Sequence, residues 1–281
     1  MRVGIRQLAY QNWGDACYEK MRAHGFSCVD YNIANTNIFP YDLSPHAAEM
    51  QLKAERTRAA QAGIEIYQMH GPWQWPLRDD TCEGRAERME KMKFSIWATA
   101  VLECKYWVVH PIMPYGIDEM NTEKAARTWD LNLRFMYELL QTAKPLGITI
   151  CLENMPFTQF SMSSPQRILE FVHVMNDPNF KICLDTGHVI ALNGISAGDA
   201  VRLLDREIRA FHVHDSISGQ DLHLLPYCGR IDWDDFRCAL RESHFDGAVC
   251  LETAPNRTLP SPLYEEMCRT LAKTIHYIAG N

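Results

Sequence analysis

Short runs rich in valine, isoleucine, leucine, cysteine and aromatic residues alternate along this chain with longer stretches of helical period. The runs cover residues 2–9, 28–33, 65–70, 106–110, 149–154, 181–188, 209–215 and 248–253. Short apolar runs bounded by turn residues read as strands, and apolar positions recurring every three or four residues read as helices. Amphipathic stretches of the second kind stand at 44–62, 85–103 and 122–143. Ser44-Pro45 predicts an N-cap with proline at the first helical position. Gly25, Gly63 and Gly147 each separate a helical stretch from a strand, as C′ glycines do. Eight β-α repeats in one undivided chain predict an α/β fold, a (β/α)8 TIM barrel forming a single domain over residues 1–281. The other candidate, an open doubly wound sheet, usually has fewer strands and often a Gly-x-Gly-x-x-Gly first turn, which this sequence lacks.

In such a barrel, chemistry gathers where the strands end at their C-terminal side. Six of the eight runs finish on His, Asp or Glu: His70, His110, Glu153, Asp185 with His188, the pair His212 and His214, and Glu252. Residues two apart on a strand share a face, so His212 and His214 project to one side. Asp221 and His223 follow in the predicted loop 216–229. Crowded carboxylates repel one another and are costly to desolvate, and a divalent cation removes that conflict. Mixed carboxylate and imidazole ligands suit Mn²⁺, Co²⁺, Zn²⁺ or Mg²⁺. A single histidine at a strand end is more often a hydrogen-bonded structural residue. Six such ends converging on one barrel mouth point to a metal site. Trp73 and Trp75, in the loop after the third strand, offer faces for stacking on a sugar ring, or anchor that loop on the rim. Arg257 follows the eighth strand, where barrels often bind phosphate, and reads as a solvent-exposed side chain.

Composition narrows the choice. Of 281 residues, 47% are hydrophobic, which excludes a disordered chain. Lysine and arginine total 28 against 35 aspartates and glutamates, a formal charge of −7. That balance makes nucleic acid an improbable partner. No apolar stretch reaches the roughly 18 residues of a membrane span, and the first residues have no signal-peptide layout. The expectation is a cytoplasmic protein without a membrane partner. Ten cysteines run from Cys17 to Cys268 with no Cys-x-x-Cys pair, and read as reduced core thiols.

The motifs Cys151-Leu-Glu-Asn154, Cys183-Leu-Asp-Thr-Gly-His-Val189, His212-Val-His-Asp-Ser216, Asp221-Leu-His223 with Gly229-Arg-Ile-Asp-Trp233, and Leu251-Glu-Thr253 resemble, in this order, the xylose-isomerase-like barrel superfamily. The resemblance spans nearly the whole chain and two branches, the sugar phosphate isomerases/epimerases and endonuclease IV. The first branch implies one divalent ion held by Glu153, Asp185, His212 and Glu252. The His-x-His-Asp run leaves both His212 and His214 as candidate ligands. The superfamily pattern His-x-x-Asp-Ser favours His212, with His214 then behind the ligands or on the substrate. The second branch implies up to three zinc ions on His70, His110, Glu153, Asp185, His188, His212, Asp221, His223 and Glu252. The net charge, and the absence of Arg or Lys from loops 10–15 and 34–43, count against that reading.

The resemblance therefore implies a metal-dependent isomerase or epimerase of a small sugar, phosphorylated or not. Glu153 and Glu252 would be acid and base, and His188 would orient a substrate oxygen. His70, His110, His188, His214, Asp221 and His223 would bind substrate or further metal. A multinuclear phosphodiesterase and a metal-dependent dehydratase are the alternatives. The expected partner is a carbohydrate, with a homo-oligomer open.

Overall fold

The computed structural model describes residues 1–33, 41, 43–73 and 79–280. Eight parallel strands close into a barrel: β1 (Arg2–Arg6), β2 (Cys28–Asn32), β3 (Glu65–His70), β4 (Tyr106–Val109), β5 (Thr149–Glu153), β6 (Phe180–Asp185), β7 (Ile208–Val213) and β10 (Ala248–Leu251). β10 lies between β7 and β1, and β1 pairs with β2 to close the ring. Around it run α1 (Cys17–His24), α2 (Pro45–Gln61), α3 (Cys82–Val101), α4 (Glu123–Ala143), α5 (Pro165–Met175), α6 (Thr186–Leu192), α7 (Ala197–Leu204), α8 (Trp233–Glu242) and α9 (Ser261–Ala279). A two-stranded antiparallel hairpin, β8 (Asp215–Ile217) and β9 (Gln220–Leu224), rises between β7 and α8.

The period of two along each strand sorts the residues. Val3, Ile5, Val29, Tyr31, Met69, Trp107, Val109, Ile150, Leu152, Ile182, Leu184, Phe211, Val213, Val249 and Leu251 belong to the large cluster that joins barrel and helices. The alternate positions face inward. Among them Cys28, Ala248 and Cys250 cluster with Tyr67, and Val108, Cys151, Cys183 and Ala210 form a second small group. The inward set thus stacks in tiers, with thiols and small side chains in the middle and His, Asp and Glu above. A thiol suits the middle tier because it is compact and makes no strong hydrogen-bond demand.

All of these helices except α1 and α9 begin where a side chain caps them. Ser44 accepts from Ala47 N at 3.3 Å ahead of Pro45, and Thr81, Thr122, Ser164, Ser196 and Asp232 act likewise. Gly25, Gly63 and Gly147 all have positive φ, which glycine adopts without steric cost. Several ends differ from the expected runs. The expected strand 181–188 stops at Asp185, because that side chain accepts His188 N at 2.7 Å and caps α6. The first run stops at Arg6 and continues as tight 3-10 turns to Ala16. The stretch expected as loop 216–229 contains most of the β8–β9 hairpin. All ten cysteines are unpaired, but Cys82 and Cys228 are exposed and Cys238 is half-buried, so three are not core thiols. Trp75 and most of loop 34–43 lie outside the described residues. Among the described residues, no helix is long and apolar enough to cross a membrane.

Two substitutions test this construction. A Cβ on Gly4 would meet Cys250 Sγ at 2.7 Å, Cys28 Sγ at 2.8 Å and the Cys28 carbonyl at 3.0 Å. Gly4→Ala is expected to destabilise the fold by about 1–3 kcal/mol through overpacking, read as a lower urea midpoint. Buried Asp215 accepts from Ser216 N (2.9 Å), Ile231 N (3.1 Å) and Trp233 Nε1 (3.0 Å), tying hairpin to α8. Asp215→Ala strands three donors and is expected to cost at least about 2 kcal/mol in the same measurement.

Candidate active site

The upper tier gathers the candidate residues at the barrel mouth. His70 ends β3, Glu153 ends β5 and Asp185 ends β6; His212 stands in β7; His110 and Glu252 directly follow β4 and β10. One ligand atom each from Glu153, Asp185, His212 and Glu252 lies within 4.8 Å of the others. His212 Nδ1 lies 2.8 Å from Glu153 Oε1 and 3.2 Å from Glu252 Oε2. Its other nitrogen, Nε2, faces Asp30 Oδ2 at 3.2 Å. The two groups form an ion-pair contact without an aligned hydrogen bond, at the far nitrogen where a metal-ligating histidine usually meets a carboxylate.

Two further clusters flank this quartet. On one side His110 Nε2 and His70 Nε2 lie 3.0 and 3.5 Å from Glu153 Oε2. On the other, Asp221 Oδ2 lies 3.3 Å from both His188 Nε2 and His223 Nε2. His188 Nδ1 bonds the Asn154 carbonyl at 2.7 Å, and His223 Nδ1 bonds the Glu252 carbonyl at 2.8 Å. His223 has φ of 46°, an uncommon backbone for a non-glycine residue. Its carbonyl accepts from Thr253 Oγ1 at 2.6 Å, so the Glu252 carbonyl and Thr253 side chain hold it from both sides. His214 packs behind Asp185 with its Nε2 3.0 Å from Oδ2.

The electrostatics follow from burial and crowding. Burial works against an ionised Glu153, yet His212 and His110 hold its carboxyl well below the ordinary range. Glu252 is likewise lowered, because His212 and His223 outweigh its burial. Burial disfavours the imidazolium of His188, but Asp185, Asp221 and Glu153 raise it to about 10. His223 is raised to about 9 against the same penalty by Asp221 and Glu252. At His110 burial prevails over Glu153, and the ring falls to about 4. Glu153 and Glu252 are therefore held as anions side by side, with imidazoles and one arginine beside them. Arg6 donates to the Glu252 carbonyl at 3.4 Å and lies 4.0 Å from its Oε1.

Whether a divalent cation fits is answered by the donors themselves. Glu153 Oε2 is buried and lies close to two histidines without a well-aligned hydrogen bond. Glu153 and Asp185 are almost wholly buried, which is costly for anions unless they are paired or coordinate a cation. Three oxygens and one nitrogen make a donor set for Mn²⁺, Co²⁺, Zn²⁺ or Mg²⁺. The residues fit the ion.

Above the quartet opens a cavity of about 440 Å³, lined among others by Arg6, Asn32, Trp73, Met155, Phe157 and His188. Trp73 stands edge-on to His110, with ring centroids 4.3 Å apart, and Arg88 lies 5.9 Å from its ring centre. Arg88 also pairs with buried Asp79 and donates to the His110 carbonyl at 3.3 Å. Asp79 accepts Met113 N at 2.8 Å, which ties the loops after β3 and β4 together. Arg257 is exposed, donates to the Leu8 carbonyl at 3.4 Å and does not line the cavity. The expectation from sequence did not include Arg6, Asp30, Asn32 or Phe157. The signal for the first three was present, since each stands on the inward face at or near the end of β1 or β2.

Comparison with known proteins extends the reading. A D-psicose 3-epimerase from Ruminiclostridium cellulolyticum is 27% identical over 268 residues, covering 90% of this chain and 83% of its own. The fold superposes on a solved D-psicose 3-epimerase crystallised in the presence of D-fructose, with a TM-score of 0.77, 19% identity and full coverage of both chains. It also superposes on the IOLI protein with a bound zinc atom, with a TM-score of 0.73 and 20% identity, over 99% of this chain and 98% of the other. The family model described as xylose isomerase-like TIM barrel matches residues 18–274. The barrel and this match over nearly all its length place the chain in the xylose isomerase-like TIM barrel family.

Proposed function

We propose that the protein is a divalent-cation-dependent epimerase or isomerase of a small keto sugar without phosphate. The observation that carries this reading is the pair Glu153 and Glu252, three strands apart around the barrel and converging on His212 beneath one cavity. Relatives and solved neighbours that act on sugars by epimerisation support it. Glu153, Asp185, His212 and Glu252 would hold the cation, which polarises a carbonyl and offsets the negative charge that proton removal creates.

The chain's own groups supply the rest. One glutamate takes the proton from the carbon beside the carbonyl, and the other returns one from the opposite face, inverting that carbon. For this the two carboxyls must differ in protonation once substrate is bound. His188, held by Asn154 through Nδ1, donates from the Nε2 that it shares with Asp221 to a substrate oxygen. Trp73, Met155 and Phe157 form an apolar wall for the C–H face of a sugar. Among the described lining residues Arg6 is the only arginine and no lysine occurs, which favours a substrate without phosphate. A phosphodiesterase is the second reading, favoured by three further groups whose ligand atoms lie close enough to hold a cation: His70, Glu153 and His212; Asp185, His188 and His214; and His214, Asp221 and His223.

Three outcomes are expected. Glu153→Gln and Glu252→Gln should each lower epimerisation of a ketose panel by about 10²–10⁴-fold and abolish deuterium uptake from solvent, with the melting profile retained. Full exchange in both variants would reject the proton-transfer scheme. Removal of metal by chelation should abolish turnover, and elemental analysis should return about one divalent ion per chain. About three zinc ions per chain, with hydrolysis of a phosphodiester, would favour the second reading. Trp73→Ala should raise KM by about 3–10-fold, as expected for loss of one aromatic contact, and leave kcat nearly unchanged.

A further inference from the structure

His214 neither lines the cavity nor exposes any surface, yet the surrounding residues are built to receive it. Its backbone N–H donates to Thr186 Oγ1 at 3.1 Å, and the Thr186 hydroxyl donates to the His214 carbonyl at 2.8 Å. Gly187 supplies the slot for the ring: a Cβ there would lie 1.9 Å from His214 Cε1. One face of the ring stacks on His223, with centroids 4.2 Å apart and planes 12° apart. Nε2 points at Asp185 Oδ2 at 3.0 Å, and Nδ1 faces the Asp215 carbonyl at 3.2 Å. Asp185 Oδ1 is already occupied by His188 N at 2.7 Å. Both oxygens of this carboxylate are therefore tethered, one by the helix it caps and one by His214.

We propose that His214 is a positioning residue. Its Nε2–H fixes the Asp185 carboxylate, and its ring supports His223, while His214 itself touches neither cation nor substrate. The inference rests on the reading of Asp185 as part of a cation site. It also separates the two histidines of the His-x-His run: His212 Nδ1 faces Glu153 and Glu252, whereas His214 Nε2 faces Asp185 Oδ2 alone at hydrogen-bond distance. The Asp185-Thr-Gly-His188 segment is on this account one device, with Asp185 oriented, Thr186 gripping the His214 backbone and Gly187 admitting its ring.

His214→Gln and His214→Met test the idea. The two replacements have similar length and volume, but only glutamine keeps an N–H for Asp185. Cobalt(II) titration followed by visible absorption reads affinity without turnover. The Met variant should bind Co²⁺ about 10–100-fold more weakly than the parent, and the Gln variant within about threefold of it, as for loss and retention of an outer hydrogen bond to a metal ligand. Equal affinity in the Met variant and the parent would overturn the proposal. Equal loss in both variants would also overturn it, because a ligating ring cannot be replaced by either side chain. The unmodified protein, labelled with ¹⁵N-histidine, gives a reading independent of variant folding: His214 Nε2 should keep its proton with and without Co²⁺. Loss of that proton on Co²⁺ loading would identify a ligand instead. Failure of the unmodified chain to bind Co²⁺ would overturn the cation reading, while the metal-free spectrum still reports the contact with Asp185.

Discussion

Three carboxylates held together at the mouth of a barrel are the constraint on which this structure turns. Isolated from water, Glu153, Asp185 and Glu252 would repel one another and draw up protons. The protein instead surrounds them with imidazoles and keeps Glu153 and Glu252 ionised. Asp30 backs His212, His212 faces both glutamates, and His214 backs Asp185. Each contact holds one acidic or imidazole side chain in place at the mouth.

The scaffold makes that concentration of charge tolerable by confining it to one tier. Outward positions of the strands are apolar and join the helices in one core, while the tier beneath the charges is closed by thiols and small side chains. Loops carry the remaining burden of precision. Asn132 exchanges hydrogen bonds with both backbone groups of Ile112 at 2.8 and 2.9 Å, just beyond His110. Asp79 and Arg88 anchor the same region from the neighbouring loop. Direct polar contacts from buried groups keep the site's walls in place.

Much of this was legible in the chain itself. The alternation of apolar runs and helical stretches yields the eight parallel strands, and the acidic and imidazole residues at their ends are brought to one mouth. Ends of elements were less legible. Asp185 reads as the last part of an apolar run, but as a cap it starts a helix one residue later. The β8–β9 hairpin is hard to read from the chain because β8 has only three residues and β9 alternates over only Asp221-Leu-His-Leu224. Asp30 went unnoticed because it stands inside a strand, where an acidic residue is visible as functional only once its neighbour His212 is placed. The ring slot at Gly187 depends on a residue twenty-seven positions away, and no local pattern encodes it.

The thiol tier has a consequence for how such a barrel changes over time. Cys28 and Cys250 flank Gly4, and the close fit there locks their strands in register with β1. Side chains that line the cavity, such as Trp73 or Phe157, can be exchanged one at a time without retooling the foundations.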